Sequence, residues 1–250
     1  MVGVLRLESE RESSSKGWGL SIYRTTIQRL ARMLPQDCFV CGTGSGDALL
    51  CAGCAAGLPH LAAPLCPVCA LPAPAGAVCG ACQSEPPHFD ASLAVYRYAF
   101  PVEHLVQGLK YRHRLALAGW FADALADRLG TASVDCVLPL PLSPTRMQAR
   151  GFNQAQEIAR PLTRRLGLPL LAAAGKRVRD GAPQASLPWK ARQANIRNAF
   201  ECTVDLSGKS VAVVDDVMTT GATLNEFART LKLHGALRVS NWVVARTLPS

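Results

Sequence analysis

Apolar residues recur with two different spacings after residue 89, and together these spacings predict a sheet covered by helices. Short alternating or nearly all-apolar runs, which are typical of strands, cover residues 91–99, 135–140, 168–173, 210–214 and 237–245. Apolar residues at helical spacing predict helices over 115–129, over 153–166 with a bend or restart at Pro161, and over 223–234. Gly235 follows the last helix where a C-terminal cap belongs. The alternation predicts an α/β fold, with a mostly parallel sheet flanked by helices on both faces.

Before residue 89 the pattern changes, and cysteine takes the place of large apolar side chains. Residues 21–34 have apolar positions at helical spacing and predict a short helix after a frayed tail at 1–16. Residues 35–88 have too few large apolar side chains to form a core, so this segment needs a staple. We therefore divide the chain into a tail with a short helix (1–34), a cysteine-rich module (35–88) and an α/β domain (89–250).

Eight of the ten cysteines form four CxxC pairs, and the pattern C-x2-C-x9-C-x2-C occurs twice. The first copy contains Cys38, Cys41, Cys51 and Cys54, and the second contains Cys66, Cys69, Cys79 and Cys82. The first 19 residues lack the apolar core of a secretory signal, which predicts a cytoplasmic protein with reduced thiols. Reduced thiols favour a bound metal over four disulfides. No apolar run approaches the ~20 residues of a membrane span, so no membrane insertion is expected.

The cysteine repeat predicts one or two structural Zn2+ sites. A CxxC turn presents two thiolates to one ion, and two turns complete the tetrahedron that zinc prefers. Sequential pairing of the turns gives two zinc ribbons, whereas pairing first with third and second with fourth stays open. The spacings do not suggest an iron–sulfur cluster. Every ligand position is Cys, so no coordination position is left open for catalysis. We expect Cys136 and Cys202, outside the repeat, to be ordinary buried residues.

Charge is unevenly distributed along the chain. The formal net charge is +9, yet residues 35–88 contain three acids and no Lys or Arg. Four thiolates on one zinc ion would add a formal charge of about −2, which argues against nucleic-acid contact through this module. By contrast, residues 146–197 contain 11 basic residues against Glu157 and Asp180. An anionic ligand, either a phosphate or a nucleic acid, is therefore expected on the α/β domain.

The strongest motif is the segment 211–223, which reads VAVVDDVMTTGAT. It predicts a buried strand that ends at Asp215-Asp216, then a turn of small residues and a helix. Thr223-x-x-Glu226 is a capping-box pattern that would fix the start of this helix. Two adjacent carboxylates can accept hydrogen bonds from vicinal ribose hydroxyls or reach a divalent metal. The segment therefore indicates a ligand site at the carboxyl end of a strand, where ligands bind in such sheets.

The turn after the two acids is suited to phosphate. Free N–H groups at a helix start bind phosphate, and hydroxyl groups and a glycine that permits close approach assist them. The residues with these properties are Thr219, Thr220, Gly221, Ala222 and Thr223. Arg150-Gly151 precedes another predicted helix and suits the same task, with a guanidinium beside free amides. The polar run 177–197 is predicted to be a mobile loop that could close over the ligand.

The segment 211–223 resembles the motif with which type I phosphoribosyltransferases bind phosphoribosyl pyrophosphate (PRPP). The resemblance implies that Asp215 and Asp216 engage the ribose hydroxyls and that the residues from Thr219 to Thr223 surround the 5-phosphate. It also implies a fold of the type I phosphoribosyltransferase kind for the α/β domain.

A second resemblance, over residues 36–246 and including the cysteine-rich module, is to the ComF family of competence-associated proteins, whose relatives include proteins linked to DNA utilisation. It rests on Leu138-Pro-Leu-Pro141, Arg146, Arg150-Gly-Phe-Asn-Gln154, Lys110-Tyr111, Arg177, Gln184, Leu187, Arg192-x2-Asn195 and Ala199-Phe200. The resemblance implies that the segment 139–141 lies where these enzymes bind pyrophosphate. It further implies that Arg146, Arg150, Asn153 and Gln154 line the other side of the anion.

These resemblances imply a Mg2+-dependent phosphoribosyltransferase that transfers a pentosyl group from PRPP or a related ribose phosphate. Asp215, Asp216 and Arg150 are then the predicted catalytic residues. The implied biological role is the uptake or use of single-stranded DNA in natural transformation, together with other DNA-uptake proteins. The alternatives are a non-catalytic factor that binds single-stranded DNA and a PRPP-responsive regulator. No helix-turn-helix pattern is apparent, so the regulator ranks last.

Overall fold

The computed structural model describes residues 36–131, 133–179 and 196–249. The predicted helix at 21–34 and most of the predicted loop at 177–197 lie outside these residues. The chain forms two compact units, Met1–Gly53 and Cys54–Ser250. The bounds predicted at residues 34 and 88 stay a prediction.

The cysteine-rich part contains only short elements. Among the described residues they are the strands β1 (Gln36–Asp37) and β2 (Gly44–Gly46), the helices α1 (Ala52–Ala56) and α2 (Gly80–Ser84), and a 3-10 helix at Pro74–Gly76. In the first unit, β1 and β2 pair in antiparallel fashion, and Cys38 donates its N–H to the carbonyl of Thr43 at 2.8 Å. In the second unit, the segment 59–61 runs along the edge of the main sheet. There Arg97 donates its N–H to Pro59, and Leu61 donates to Val95.

The α/β part contains mostly longer elements, with helices between successive strands of its main sheet. The first half has β3 (Ala91–Arg97), α3 (Val102–Tyr111), α4 (Ala116–Leu129), β4 (Cys136–Pro139), α5 (Pro144–Arg150) and α6 (Gln154–Leu166). The second half has β5 (Gly175–Arg177), β6 (Phe200–Cys202), β7 (Ser210–Met218), α7 (Ala222–Leu233) and β8 (Arg238–Arg246).

Four strands form a fully parallel sheet in the order β3-β8-β7-β4. Alternate residues of β7 serve opposite faces, because side chains alternate along a strand. Val211 and Val213 share one core cluster with Phe227 of α7 and with Cys66 and Cys69 of the second cysteine repeat. On the other face, α4 and α6 pack against each other and against the strands. The predicted parallel sheet flanked by helices, with a cysteine-rich module before it, is confirmed.

Several local predictions need correction. The strand predicted to end at Asp215-Asp216 continues through both acids to Met218, because β8 pairs with it as far as Met218↔Arg246. Residues 168–173 form no strand and contribute only an isolated bridge, Val137↔Leu170. Helix α6 does not restart, since Pro161 lies inside one continuous helix. Gly235 has a left-handed φ of +91° just after α7, as its predicted capping role requires.

The cysteines outside the repeat agree with the prediction, whereas some of the observed elements were not predicted. Cys136 and Cys202 are buried, as expected. Helix α3 and the antiparallel β5–β6 pair were not predicted. In the described part of the chain, no helix combines the length and the apolar character that a bilayer crossing demands.

Candidate functional site

A cavity of about 500 Å³ opens at the carboxyl ends of β4 and β7, where parallel sheets bind their ligands. Its lining is strongly polar. The cations are Lys110, Arg146, Arg150 and Arg177, the acids are Asp215 and Asp216, and the remaining polar groups include Gln154, Thr219, Thr223, Tyr111 and His113. Four cations around two acids favour an anionic ligand.

The two acids lie inside this cavity and are coupled to a lysine. Asp216 is 2% exposed, and the Lys110 ammonium of α3 lies 2.7 Å from its Oδ2. Burial raises the pKa of Asp215 well above its usual range, and the neighbouring Asp216 carboxylate adds to this. Burial acts to lower the pKa of Lys110, but attraction to Asp216 outweighs it and the pKa is raised. The carboxyl oxygens of Asp215 and Asp216 can therefore accept hydrogen bonds, while the two acids and Lys110 together carry little net negative charge.

The loop from Thr219 to Thr223 connects β7 to α7. Gly221 is the N-cap of α7 with a φ of +83°, and an added Cβ there would come within 2.7 Å of Met218 Cε. No side chain caps this helix, so the predicted capping box is wrong. The Glu226 carboxylate is held elsewhere, because it accepts the N–H of Asn198 at 2.7 Å and pairs with Arg229. Of the amides in the first turn, that of Ala222 donates to Thr220 Oγ1 at 3.4 Å, which leaves those of Thr223 and Leu224 for an anion.

Arginines of the segment 144–154 form the opposite wall. Helix α5 is capped by Ser143, whose hydroxyl accepts the N–H of Arg146. Arg150 ends this helix, lies 5.3 Å from the ring centre of Tyr111 and donates to Gln154 Oε1. Among the described residues, no partner is seen for the guanidinium of Arg146. These guanidinium groups can bind phosphate oxygens in the bidentate manner typical of arginine.

The structure brings most of the predicted site residues together, but not all of them. Asp215, Asp216, Thr219, Thr223, Arg146, Arg150 and Gln154 line the cavity. The amide of Asn153 instead donates to the Leu140 carbonyl and its oxygen caps α6, while Gly151 forms the left-handed end of α5. Thr220, Gly221 and Ala222 line a neighbouring cavity of about 260 Å³ on the side of the second cysteine repeat.

Lys110 was missed as a site residue. Sequence reasoning matched it only as a family position and gave it no role. Its contact with Asp216 joins residues more than one hundred positions apart, through a helix that was not predicted. The only sequence signal that could have found it is the Lys110-Tyr111 match itself.

The cysteines gather as two clusters of four, in sequential rather than interleaved pairing. One cluster contains Cys38, Cys41, Cys51 and Cys54, and the other contains Cys66, Cys69, Cys79 and Cys82. Within each, the four sulfurs lie within 4.8 Å of one another. The Cys41–Cys51 and Cys69–Cys79 sulfur distances are 3.7 and 3.6 Å. Tetrahedral zinc with Zn–S bonds near 2.3 Å sets sulfurs about 3.8 Å apart, so both clusters fit Zn2+.

The pKa shifts of the cysteine thiols are also consistent with a bound cation. Burial raises the pKa of the Cys38 thiol, but backbone N–H groups of Cys41, Cys51 and Val40 outweigh it and lower that pKa to about 6. In the second cluster, burial and its sulfur neighbours raise the pKa of Cys82. Four clustered thiols cannot all ionise without a compensating ion, and a divalent metal supplies that compensation.

Two domain families match this chain. The double zinc ribbon domain matches residues 30–83, and the phosphoribosyl transferase domain matches residues 148–248. These matches cover the cysteine clusters and most of the residues that line the large cavity.

Three named relatives extend the match. The DNA utilization protein YhgH of Salmonella typhi is 34% identical over 196 residues, which cover 74% of this chain and 85% of that protein. Competence protein F of Haemophilus influenzae is 33% identical over 64% of this chain and 74% of that protein. The chain belongs to the ComF family. A further relative, competence protein ComFC of Bacillus subtilis, is 27% identical over 80% of this chain and 85% of that protein.

Membership of the ComF family confirms the resemblance that the sequence motifs indicated. Both parts of this chain have a match of their own, the cysteine repeat to the double zinc ribbon domain and the α/β part to the phosphoribosyl transferase domain. The names of the relatives concern DNA utilization and competence, which is a statement about those proteins.

Proposed function

We propose that this ComF protein binds PRPP or a related ribose phosphate in the large cavity. One observation carries the proposal. The adjacent acids of β7, Thr219 and Thr223 on either side of the start of α7, and the arginines of α5 surround the same space of about 500 Å³. A ligand with vicinal hydroxyls, a terminal phosphate and a second anionic group matches these three features.

Each part of PRPP has a partner in this arrangement. Asp215 and Asp216 accept hydrogen bonds from the ribose hydroxyls. The amide of Thr223 and the hydroxyls of Thr219 and Thr223 bind the 5-phosphate. The pyrophosphate lies against Leu140-Pro141 and is bound by Arg146 and Arg150.

Mg2+ fits this proposal as an ion that arrives with the substrate. Among the described residues that line the cavity, the carboxylate ligands are Asp215 and Asp216, and Lys110 already pairs with one of them. Mg2+ is commonly held by one or two carboxylates together with substrate phosphates. Asp215 and Asp216 would provide the carboxylates of such a shared site. The ion would neutralise charge on the pyrophosphate oxygens.

The reaction that this geometry supports is displacement of pyrophosphate from the anomeric carbon of PRPP by an acceptor. The C–O bond to pyrophosphate breaks, and negative charge grows on the departing oxygen. Cations placed around that oxygen before the reaction stabilise the transition state. Arg150 is held in place by the Tyr111 ring and by Gln154, so it needs little reorganisation when that charge develops.

Replacing Arg150 with glutamine is expected to slow PRPP turnover roughly 100-fold, because one preorganised charge is lost from the leaving-group side. The measurement is pyrophosphate release by hydrolysis of PRPP, or pyrophosphate exchange. Arg160→Gln is the matched control, since Arg160 pairs with Glu157 on the surface of α6. Equal turnover by Arg150→Gln and the wild type would contradict the catalytic part of the proposal.

We place this activity in the uptake or use of single-stranded DNA, in the cytoplasm, where thiols stay reduced. A second candidate function is direct binding of single-stranded DNA without catalysis. The observation that favours it is an aromatic and basic rim at the cavity. Tyr111 is 68% exposed beneath Arg150, and His113 lies 5.6 Å from Phe152, centre to centre. Exposed rings among cations are the usual platform for stacked bases.

Direct DNA binding makes a prediction of its own. If three phosphates are neutralised, log K for a single strand should fall with log salt at a slope of about −2. Tyr111→Ala should weaken binding by about 1–3 kcal/mol, the cost of one lost stacking contact. Phe100→Ala is the control, because Phe100 is equally exposed but does not line the cavity. Fluorescence anisotropy of a labelled strand measures both effects, and a flat salt dependence would refute this candidate.

A further inference from the structure

Arg246, the last residue of β8, connects the second cysteine cluster to the loop that follows β7. Its side chain is buried at 3% exposure. Its Nε donates to the carbonyl of Cys69 at 2.9 Å. Its Nη1 donates to the carbonyls of Met218, at 2.9 Å, and of Thr219. One buried guanidinium thus bonds to a cysteine of the cluster and to the first residue of the loop.

Electrostatic attraction also favours the contact between Arg246 and the second cysteine cluster. A zinc ion on four thiolates carries a formal charge of about −2. Such a centre stabilises a buried guanidinium beside it, which would otherwise be costly to keep charged.

The second repeat also forms a wall behind the loop. Cys69, Cys82 and Arg246 line the cavity of about 260 Å³ together with Thr220 and Gly221. The His88 N–H donates to Asn225 Oδ1 in the first turns of α7 at 2.6 Å. The loop therefore has the large cavity on one side and the second repeat on the other, with Arg246 between its backbone and the cluster.

We infer that the second four-cysteine centre positions the phosphate-binding loop through Arg246, so that affinity for ribose phosphates depends on metal in this centre. The inference rests on the proposed function, and it makes Arg246 a positioning residue rather than a group that touches the ligand. The carbonyls of Met218 and Thr219 set where the loop leaves β7. With Arg246 bonded to both, the following amides keep one orientation toward the large cavity.

The test compares two matched double variants in the full chain. Cys79→Ser with Cys82→Ser removes two ligands of the second centre, and Cys51→Ser with Cys54→Ser removes the equivalent ligands of the first. Each is expected to retain one zinc ion by native mass spectrometry, against two in the wild type. Hydrogen exchange of the ligand-free protein then reports on the loop directly. Amides of residues 218–224 should exchange faster only in the second-centre variant, while those of 211–214 in β7 keep their protection.

Affinity for ribose 5-phosphate, measured by calorimetry, is expected to fall roughly tenfold in the second-centre variant and to stay unchanged in the first. Arg246→Gln is the second test, and it also decides the question if the cysteine variant fails to fold. It should keep both zinc ions yet show the same local exchange and the same loss of affinity. The inference is overturned if Arg246→Gln leaves loop exchange at the wild-type rate.

The two ideas fail in different ways. If the wild type binds neither PRPP nor ribose 5-phosphate, the proposed function fails. The exchange comparison on ligand-free protein still decides whether the centre positions the loop. Faster exchange throughout the sheet would show only a general structural role for Arg246 and would also overturn the inference.

Discussion

Asp216→Asn is expected to weaken ribose 5-phosphate binding roughly 10- to 100-fold, which corresponds to the loss of one hydrogen bond to a charged acceptor, about 1.5–3 kcal/mol. Asparagine has nearly the same shape, but it lacks the negative charge that strengthens the hydrogen bond from the ribose hydroxyl. Lys110 loses its partner in this variant, yet its side chain is 19% exposed at the cavity and can reach water. Calorimetry measures the affinity, and thermal unfolding shows that the variant is folded.

Inorganic phosphate provides an internal comparison for this prediction. It has no hydroxyl pair, so its affinity for Asp216→Asn should be unchanged or slightly higher, because a negative charge has been removed. Asp123→Asn is the matched protein control, since Asp123 is an exposed acid that pairs with Arg165. If Asp216→Asn weakened phosphate and ribose 5-phosphate equally, the assignment of the hydroxyl site to these acids would be wrong.

Lys110→Met is expected to lower the free energy of unfolding by about 3 kcal/mol, because it leaves the buried Asp216 carboxylate without a counter-ion. For a chain of this size the midpoint of thermal unfolding should fall by roughly 6–12 °C. Scanning calorimetry or circular dichroism measures the shift. The expected loss is at the low end for a broken buried pair, since the cavity admits water to the site.

The double variant Lys110→Met with Asp216→Asn separates charge from packing. Removing both partners leaves no unpaired charge, so the double variant should be more stable than Lys110→Met alone. The non-additivity of the unfolding free energies is the coupling between the two groups. Strictly additive losses would show that the 2.7 Å contact contributes nothing to stability.

Local patterns were sufficient to predict the architecture and two of the segments that line the large cavity. The apolar run of β7 and the helix-spaced residues of α4 are each determined by burial on one face, and burial leaves its period in the sequence. The turn at Gly221 was predictable because a left-handed φ and a close approach both require glycine. The clusters of cysteines were predictable in composition, because reduced thiols at this spacing have few uses other than metal binding.

The features that local patterns did not predict depend on contacts between residues far apart in the sequence. The Thr223-x-x-Glu226 pattern indicated a capping box, but Asn198 and Arg229 compete for the Glu226 carboxylate and prevail. The strand extended past Asp215-Asp216 because β8 offers a partner for each further residue. Nothing near Arg246 in sequence shows that a cysteine carbonyl and the Thr219 loop meet its guanidinium.

The central claim is that the cavity at the ends of β4 and β7 binds a phosphorylated pentose, and calorimetric titration with PRPP, in the presence and absence of Mg2+, tests it most directly. We expect one site per chain, tighter binding with Mg2+, and a large loss of affinity in Asp216→Asn but not in Asp123→Asn. No detectable heat at millimolar PRPP, or equal affinity in the wild type and Asp216→Asn, would contradict it.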